Sequence, residues 1–302
     1  LPLPAYLGSY GPGAAANPWS NIGELQNRGI ELTLNTVNID RKGFQWRSNF
    51  VFSMNRNKVK SMDTESSSLE KAFRVGDDNS IVTKTTVGQP IGQFWGYKVI
   101  GRFDKAEDFY YKDTDGTMKQ VPLPTGVTIN ENGAWIGDYI FADLNEDGVI
   151  DSEDCTYIGN PEPKFTYGIG NTFSWKGFDL TIFLSGSYGN DVLNYNRKWL
   201  EDPRANHNVL SKVANYARVE KIDPNGPNDY RNLHVTGGDP NLPRISASST
   251  NANQRLSDRY IEDGSYLRIQ NISLGYTLPR KWIEPLRLSN VKIYANLQNV
   301  YT

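Results

Sequence analysis

The sequence predicts an all-β fold and, within that class, part of an antiparallel transmembrane β-barrel. Three observations predict it. Several segments alternate apolar and polar side chains with the period of a strand that has two different faces. These segments come in pairs joined by short turns, and two very long connections separate the pairs. Barrels of the outer membrane combine short periplasmic turns with long extracellular loops in this way.

Composition and charge exclude several other structural features and partners. The 302 residues carry a net charge of −2 and contain no run of 18 apolar residues, so no transmembrane helix is predicted. No signal peptide is visible, and both ends of the sequence suggest a piece of a longer protein. The single cysteine, Cys155, excludes an intrachain disulfide. Lys and Arg are scattered, so the sequence predicts no nucleic-acid partner.

The first hairpin follows a predicted loop at residues 1–26. Within that loop, GPGAAA (11–16) fits a loose dinucleotide-binding pattern, but no strand precedes it, so no such site is predicted. Residues 27–39 alternate well, and a turn at 40–43 leads to a second strand at 44–57. Large apolar side chains occupy one face of that second strand, and polar side chains occupy the other.

The clearest hairpin spans 164–190, with a tight turn at 175–178. One face of its strands is apolar and rich in aromatics, interrupted on the first strand by Asn171. The other face is small and polar, with Phe183 as an exception. An apolar face toward lipid and a polar face toward a hydrated lumen account for this pattern.

The remaining segments follow in order. Residues 58–87 are predicted to be irregular, and 90–103 to form one strand. A connection at 103–163 is acidic, with fourteen Asp and Glu against three Lys and Arg. A second long connection, 191–264, is predicted to hold a helix at 208–221. The last strands are predicted at 265–278, with a β-bulge near Gln270 and Asn271, and at 290–300.

The acidic connection contains the motif DLNEDGVIDSED at 143–154, which resembles a calcium loop. Oxygen ligands on alternate residues, with a glycine at the sixth position for the sharp turn, are what Ca²⁺ coordination needs. The predicted ligands are Asp143, Asn145, Asp147, the Val149 carbonyl, Asp151 and Asp154. The alternative is a turn whose carboxylates cap local amides without calcium. If calcium binds, we expect it to stiffen the loop.

Aromatic residues form two further sets of candidate site residues, one for substrate contact and one for a membrane girdle. Tyr188, Tyr195 and Trp199 lie near the start of the second long connection and are candidates for stacking on a sugar substrate. The alternative is that they pack the loop or belong to an interfacial girdle. Girdle candidates beside the short turns are Trp46, Trp175, Phe178 and Tyr276.

No catalytic activity is predicted. The only histidines, His207 and His234, belong to no paired motif, and no nucleophile elbow, zinc-protease helix or P-loop is present.

Five stretches resemble the SusC/RagA family of TonB-dependent outer-membrane transporters of Bacteroidetes. They follow the family order: NIGELQNRGIELTL (21–34), VGQPIGQFWGYKVIGRF (87–103), the long block from GDYIFADLNEDG to SYGNDVLN (137–194), RYIEDGSYLRIQNISLGYTLP (259–279) and VKIYANLQNVYT (291–302). The resemblance covers nearly the whole sequence.

The resemblance implies the C-terminal third of a 22-stranded barrel, whose plug, TonB box, first strands and closing strand lie outside residues 1–302. It implies the outer membrane of a Gram-negative, Bacteroidetes-like cell. A SusD-like surface lipoprotein and TonB would be partners, with outer-membrane lipid around the barrel and an oligosaccharide or peptide as cargo. Connections 103–163 and 191–264 would then be extracellular.

One alternative stays open, a soluble secreted β-rich binding module with a calcium-stiffened, dockerin-like loop. The two hypotheses differ in what the apolar face of 165–184 contacts: lipid in the first and a protein core in the second.

Overall fold

A computed structural model describes residues 23–62, 68–75, 78–202, 208–246 and 250–302. The loop predicted at the N-terminus, including 11–16, lies largely outside these residues. Strands and helices are listed here in chain order: β1 Gly23–Arg41, β2 Phe44–Met62, β3 Leu69–Val75, β4 Asp78–Thr85, β5 Gln93–Gly96, β6 Val99–Arg102, β7 Tyr110–Lys112, β8 Met118–Gln120, β9 Leu123–Pro124, β10 Tyr139–Phe141, β11 Val149–Ile150, β12 Thr156–Gly159, β13 Phe165–Trp175, β14 Phe178–Tyr188, β15 Asp191–Leu193, α1 Asn196–Leu200, β16 Arg218–Lys221, β17 Leu233–Gly237, β18 Ile261–Asp263, β19 Tyr266–Thr277, α2 Arg280–Ile283 and β20 Lys292–Tyr301.

Six long strands form one antiparallel sheet, which we call the wall, in the order β1-β2-β13-β14-β19-β20. Strands that follow each other closely in the chain are neighbours in the wall. The two long connections, β2 to β13 and β14 to β19, also join neighbours. This arrangement confirms the predicted all-β class. No helix in the described ranges is long and apolar enough to cross a membrane.

The tight turns form where the sequence predicts them. Lys176 and Gly177 both have positive φ, 46° and 91°, as a two-residue hairpin turn of the favoured twist requires. Gly177 suits this position because it has no Cβ to clash at positive φ, and a Cβ there would lie 2.9 Å from the Thr277 carbonyl oxygen. The β1–β2 hairpin turns at Lys42 and Gly43.

The predicted bulge in β19 is also present. Asn271 pairs with Phe183, but Ile269 already pairs with Leu184, so Gln270 is the extra residue. This insertion keeps the apolar side chains before and after it on the same face, although their sequence parity changes.

The prediction of a single strand at 90–103 is wrong. The chain forms β5 and β6 instead, in two different small sheets. Tyr97 separates them because its backbone bonds to another segment: its N–H donates to the Leu256 carbonyl, and its carbonyl accepts from Asp258, at 2.9 and 3.0 Å.

The region predicted as irregular, 58–87, contains the end of β2 and the β3–β4 hairpin. Its fold depends on distant residues, since Val82 is buried in a cluster with Tyr195, Leu256 and Tyr260.

The predicted helix at 208–221 is also wrong. A 3-10 helix occupies Ser211–Asn215, and β16 follows and pairs with β17. Long-range contacts override the helical spacing: the Tyr216 hydroxyl donates to the Glu201 carbonyl at 2.6 Å, and Ala217 N–H donates to the Pro243 carbonyl at 3.0 Å.

The buried core lies in the connections, which together we call the connecting region (residues 68–75, 78–163, 190–202, 208–246 and 250–264). Its largest cluster joins the two connections and contains Phe103, Phe109, Leu123, Ala134, Trp135, Ile136 and Leu233. Phe103 and Phe109 stack with ring centroids 4.0 Å apart. The wall by contrast exposes many large apolar side chains, including Leu32, Trp175 and Leu274 at 51%, 52% and 49%.

Candidate membrane wall and calcium-type loop

One face of the wall, which we call the apolar face, is continuous across the strands because the register aligns its apolar residues. Phe50, Ile169, Leu184 and Ile269 lie side by side in one row. Other rows follow the same order from β2 to β19: Trp46, Phe173, Leu180, Leu274; and Phe44, Trp175, Phe178, Tyr276. Such a face exposed over four inner strands is far larger than the scattered apolar residues of an ordinary soluble surface.

Asn171 interrupts this face, and its side-chain oxygen is hydrogen-bonded there. Its Oδ1 accepts from the Trp46 indole Nε1 at 3.0 Å and from the Ser48 hydroxyl at 2.7 Å. A polar group away from water costs little when its hydrogen bonds are made within the protein. The Asn171 side-chain oxygen therefore keeps its hydrogen bonds on a face of otherwise mostly apolar residues.

The opposite face is mostly polar, and Phe183 is the large aromatic exception on the β13–β14 hairpin. The Phe183 ring lies over Gly168 and Gly170, where an added Cβ would come within 3.4 and 3.6 Å of it. An added Cβ at either glycine would thus be in ordinary van der Waals contact with the ring.

The four girdle candidates lie together at the end of the wall with the short turns. Trp46 stacks on Phe173 at 5.6 Å, and Phe178 contacts Tyr276 at 4.3 Å between ring centroids. Trp175 is 52% exposed beside them.

A second aromatic cluster marks the other end of the same strands. Phe165 contacts Phe52 at 5.5 Å and Tyr188 at 5.1 Å between ring centroids. The ten steps from Phe165 to Trp175 span roughly 33 Å along β13. A tilt of about 40° reduces this to about 25 Å, the height of the apolar band of outer-membrane barrels.

The three substrate-contact candidates lie in different environments. Tyr195 is only 5% exposed and packs on Tyr260, so its ring is not available for stacking on a sugar. Tyr188 belongs to the second aromatic cluster. Trp199 lies on α1 and is 47% exposed. For Tyr195 the packing alternative therefore holds.

The calcium-type loop folds into a tight turn. Gly148 has a φ of 87°, which explains the glycine at the sixth position. The Asp143 Oδ2 accepts from Gly148 N–H at 2.9 Å, while its Oδ1 is buried and has no hydrogen-bond partner. Asp147 accepts from Val149 N–H at 2.9 Å.

The last part of the loop is a short 3-10 helix at Ser152–Asp154. Asp151 caps it by accepting from Glu153 N–H at 2.8 Å. Asp154 is fully buried, and its two oxygens accept from Leu144 and Asp151 N–H at 2.7 and 2.8 Å. Within the described ranges, no group of three or more His, Cys, Asp and Glu side chains is arranged to hold a metal ion. The loop as folded uses its carboxylates on backbone amides.

Buried charges that the sequence does not reveal hold the connecting region together. Glu201 on the end of α1 is fully buried and pairs with Arg197, Lys212 and Arg259. Burial alone would raise the pKa of Glu201, but hydrogen bonds from Arg197 and Lys212 and the charge of Arg259 lower it below its ordinary value.

A second buried carboxylate, Asp138, accepts from the Arg244 guanidinium at 2.9 and 3.2 Å and from Asn253 at 2.8 Å. These partners belong to the second connection, so Asp138 ties the two connections to each other.

The single cysteine, Cys155, is half-buried. Burial raises the pKa of Cys155, which keeps the thiol protonated and weakly nucleophilic.

Comparison with known proteins shows that this chain is similar in sequence to TonB-dependent receptors. The chain is 30% identical to TonB-dependent receptor P3 of Formosa agariphila, over 100% of the chain and 26% of that protein. It is 23% identical to TonB-dependent receptor SusC of Bacteroides thetaiotaomicron, over 93% of the chain and 23% of that protein. The chain thus spans about a quarter of the length of these relatives. No family model matches it.

Among solved structures, one with a similar fold is a peptide importer. The chain superposes on the RagAB peptide importer in its closed-closed state with a TM-score of 0.64 and 18% identity. The match covers 100% of this chain and 28% of that one. The resemblance predicted from the sequence is confirmed: over its whole length the chain is a SusC/RagA-like segment.

Proposed function

We propose that this chain forms part of the barrel of a nutrient importer in the outer membrane. The apolar face contacts lipid, the short turns lie on the periplasmic side, and the connecting region is extracellular. The observation that carries the proposal is the two-faced wall with aromatic clusters at both ends, separated by about 25 Å. The similarity to TonB-dependent receptors supports it.

Closure of the barrel is part of the proposal. Strands β1 and β20 end the sheet, and neither has an outer neighbour among the described residues. Unpaired strand edges are unstable in a membrane, so we expect further strands to complete a barrel of 22. A plug and a TonB box would belong to the same parent protein.

Import then needs two partners. A SusD-like lipoprotein would close the extracellular mouth over the connecting region, and TonB would act on the plug from the periplasm. The cargo is an oligosaccharide or a peptide, and Trp199 is a surface aromatic near the mouth that could contact it. The chain itself performs no chemical step.

The first test places single nitroxide labels on β14 in the full-length parent protein, reconstituted in lipid. Labels at Leu180 and Ile182 are expected to be accessible to oxygen dissolved in the bilayer. A label at Thr181 is expected to be accessible to a polar quencher.

A label at Phe183 is the matched control because this apolar residue lies on the polar face. It should follow Thr181 despite its hydrophobic side chain. If Leu180 and Ile182 are shielded from both probes, they belong to a protein core. The membrane proposal then fails in favour of a soluble binding module.

We further propose that the loop at 143–154 binds Ca²⁺ as a structural ion. The motif spacing, the left-handed Gly148 and the unpartnered Asp143 Oδ1 support this. Asp143, Asn145, Asp147, the Val149 carbonyl, Asp151 and Asp154 would supply oxygen ligands, after some carboxylates release the amides that they now accept.

Terbium luminescence sensitised by nearby tyrosines would test the calcium site in the full-length protein. We expect a saturable signal that calcium competes away and that Asp143→Asn weakens strongly. Asp113→Asn, in another acidic turn of the same connection, should leave the signal unchanged. Equal signals from both variants would mean that the loop is a metal-free turn.

A further inference from the structure

A cleft of about 1050 Å³ lies in the connecting region. Three elements line it: the β6–β10 pair, the β7–β8 hairpin and the calcium-type loop. Its volume is comparable to the largest pockets that hold small ligands.

Part of the lining is apolar, so the cleft suits an organic ligand as well as a hydrated ion. Ile100 is 60% exposed and Tyr111 is 42% exposed, and both line the cleft. A ligand with an aliphatic stem would cover such side chains. The apolar and aromatic lining includes Ile100, Tyr110, Tyr111, Val121, Ile140 and Phe141.

The charged part of the lining is mostly acidic. It combines two cations, Arg102 and Lys119, with five carboxylates: Asp108, Asp113, Asp143, Glu146 and Asp147.

Both cations are already paired. Lys119 forms an ion pair with Asp113 inside the cleft. Arg102 pairs with Asp104, which does not line the cleft, at 2.6 Å, and only 7% of the Arg102 side chain is exposed. The two cations therefore leave the other four carboxylates uncompensated.

Hydrogen bonds do not remove this negative charge. Asp108, Asp143 and Asp147 accept from backbone N–H groups, at 2.8, 2.9 and 2.9 Å, and stay carboxylates. Among the residues that the structure describes, none of these three and not Glu146 forms an ion pair. A cleft lined by uncompensated charge of one sign concentrates ligands of the opposite sign. The charge balance therefore favours a cationic occupant.

We propose that this cleft binds a lysine or arginine side chain of a peptide cargo. The inference rests on the proposed function and deepens it, because it chooses a cationic peptide from the two cargo classes. The ammonium or guanidinium group lies near Asp108 and Glu146, and its aliphatic stem packs on the apolar lining. A tyrosine ring of the lining adds attraction for the cation. A neutral oligosaccharide offers no charge to this site.

Fluorescence anisotropy of labelled peptides with the full-length parent protein in detergent would test the cleft. Three short peptides share one neutral sequence and carry either two lysines, two acetyl-lysines or two glutamates. A calcium chelator is present because Asp143 and Asp147 also belong to the proposed calcium site. We expect the lysine peptide to bind about tenfold more tightly than the acetyl-lysine peptide, and the glutamate peptide to bind most weakly.

Two variants remove one negative charge each from the cleft. Glu146→Gln and Asp108→Asn are each expected to weaken binding of the lysine peptide about threefold and to leave the acetyl-lysine peptide unaffected. The matched control is Glu107→Gln, because Glu107 is exposed beside Asp108 and does not line the cleft. It should leave the affinity for the lysine peptide unchanged.

Three results would overturn the peptide site: equal binding of the lysine and acetyl-lysine peptides, unchanged affinity in both the Glu146 and Asp108 variants, or an equal loss in Glu107→Gln. A glucosamine oligosaccharide with two free amines is the last comparison. If it binds as tightly as the lysine peptide, the cleft recognises charge without selecting a peptide, and the proposal is wrong.

The nitroxide labels separate this failure from failure of the proposed function. If Leu180 and Ile182 face lipid and one of these results is found, only the peptide site is wrong.

Discussion

At the scale of single residues, Asn171 shows how a polar side chain is accommodated on the apolar face, which we propose contacts lipid. Trp46 and Ser48 both donate to its Oδ1, so three polar groups from β2 and β13 satisfy each other. The sequence marks Asn171 as an interruption of the apolar pattern. The register between β2 and β13 shows why it is tolerated, because it places Ser48 directly opposite.

Asn171→Leu is expected to destabilise the wall, although it makes the face more apolar. The change leaves the Trp46 indole and the Ser48 hydroxyl without their acceptor, at a cost of about 1 to 3 kcal/mol. Equilibrium unfolding of the full-length protein in lipid vesicles would measure the difference.

The double variant Asn171→Leu with Ser48→Ala is the control. It removes one of the two stranded donors together with the acceptor, so it should recover part of the loss. If Asn171→Leu is as stable as the unaltered protein, the hydrogen bonds to Asn171 do not stabilise the wall.

In the connecting region, Glu201 is a buried polar residue that several partners stabilise. Its carboxylate joins α1, the 3-10 helix at Ser211–Asn215 and the segment around Arg259. Removing one partner from a buried ion cluster leaves the other charges uncompensated.

Glu201→Gln is therefore expected to lower the free energy of unfolding of the connecting region by about 3 to 5 kcal/mol. Limited proteolysis in denaturant would measure it. Asp229→Asn, which removes an exposed pair with Arg231, should have almost no effect.

The lowered pKa of Glu201 predicts that the stability of the connecting region depends on pH. Because the pKa of Glu201 is lowered in the folded protein, its stabilising effect is present above the ordinary value of 4.5 and is lost as the pH falls through the folded value. Proteolysis of the connecting region should accelerate over that range. In Glu201→Gln this contribution to the acid sensitivity should be absent.

At the scale of elements, β19 depends on its bulge. Gln270 is the one residue that separates two apolar runs of opposite parity, and without it one run would point to the polar face.

Deletion of Gln270 is expected to prevent correct folding of the wall. A one-residue shift would exchange the faces of the residues on one side of the deletion, placing apolar side chains on the polar face and polar ones on the apolar face. Electrophoretic mobility with and without heating would show whether a folded barrel forms. Deletion of Asn225, in a loop of the connecting region, is the control and should leave folding intact.

The difference between wall and connections also explains what the sequence could predict. The strands at 165–175 and 178–188 were predictable because alternation and turn residues are local signals. The break at Tyr97 was not, since Leu256 and Asp258 provide its backbone partners from far along the chain.

The candidate site residues show the same contrast between local signals and long-range contacts. The position of Trp175 beside a turn at one end of the wall was predictable, while its role in a membrane girdle stays a prediction. The buried state of Tyr195 and the ion cluster of Glu201 depend on partners brought close only by the fold, and nothing in the local pattern indicates them.

At the scale of the whole molecule, both edges of the wall are open among the residues that the structure describes, while the connecting region carries the buried clusters. The edge strands β1 and β20 expose long rows of apolar side chains, and β20 is exposed along its whole length.

Expressed alone, residues 1–302 are expected to self-associate through these edges. Analytical ultracentrifugation in detergent should show large species for this segment and a defined species for the full-length parent. A stable monomer of the segment with the strand content of the parent would contradict this expectation.

The shared core of the connections limits how such proteins can recombine. Phe103 and Phe109 come from the first connection and Leu233 from the second, yet they form one cluster. If an exchange between relatives transferred only one connection, the shared core would combine side chains from two proteins. Each set of side chains was selected to pack against the other connection of its own protein. The two connections should therefore be inherited together as one exchangeable unit, while the strands between them can stay in place.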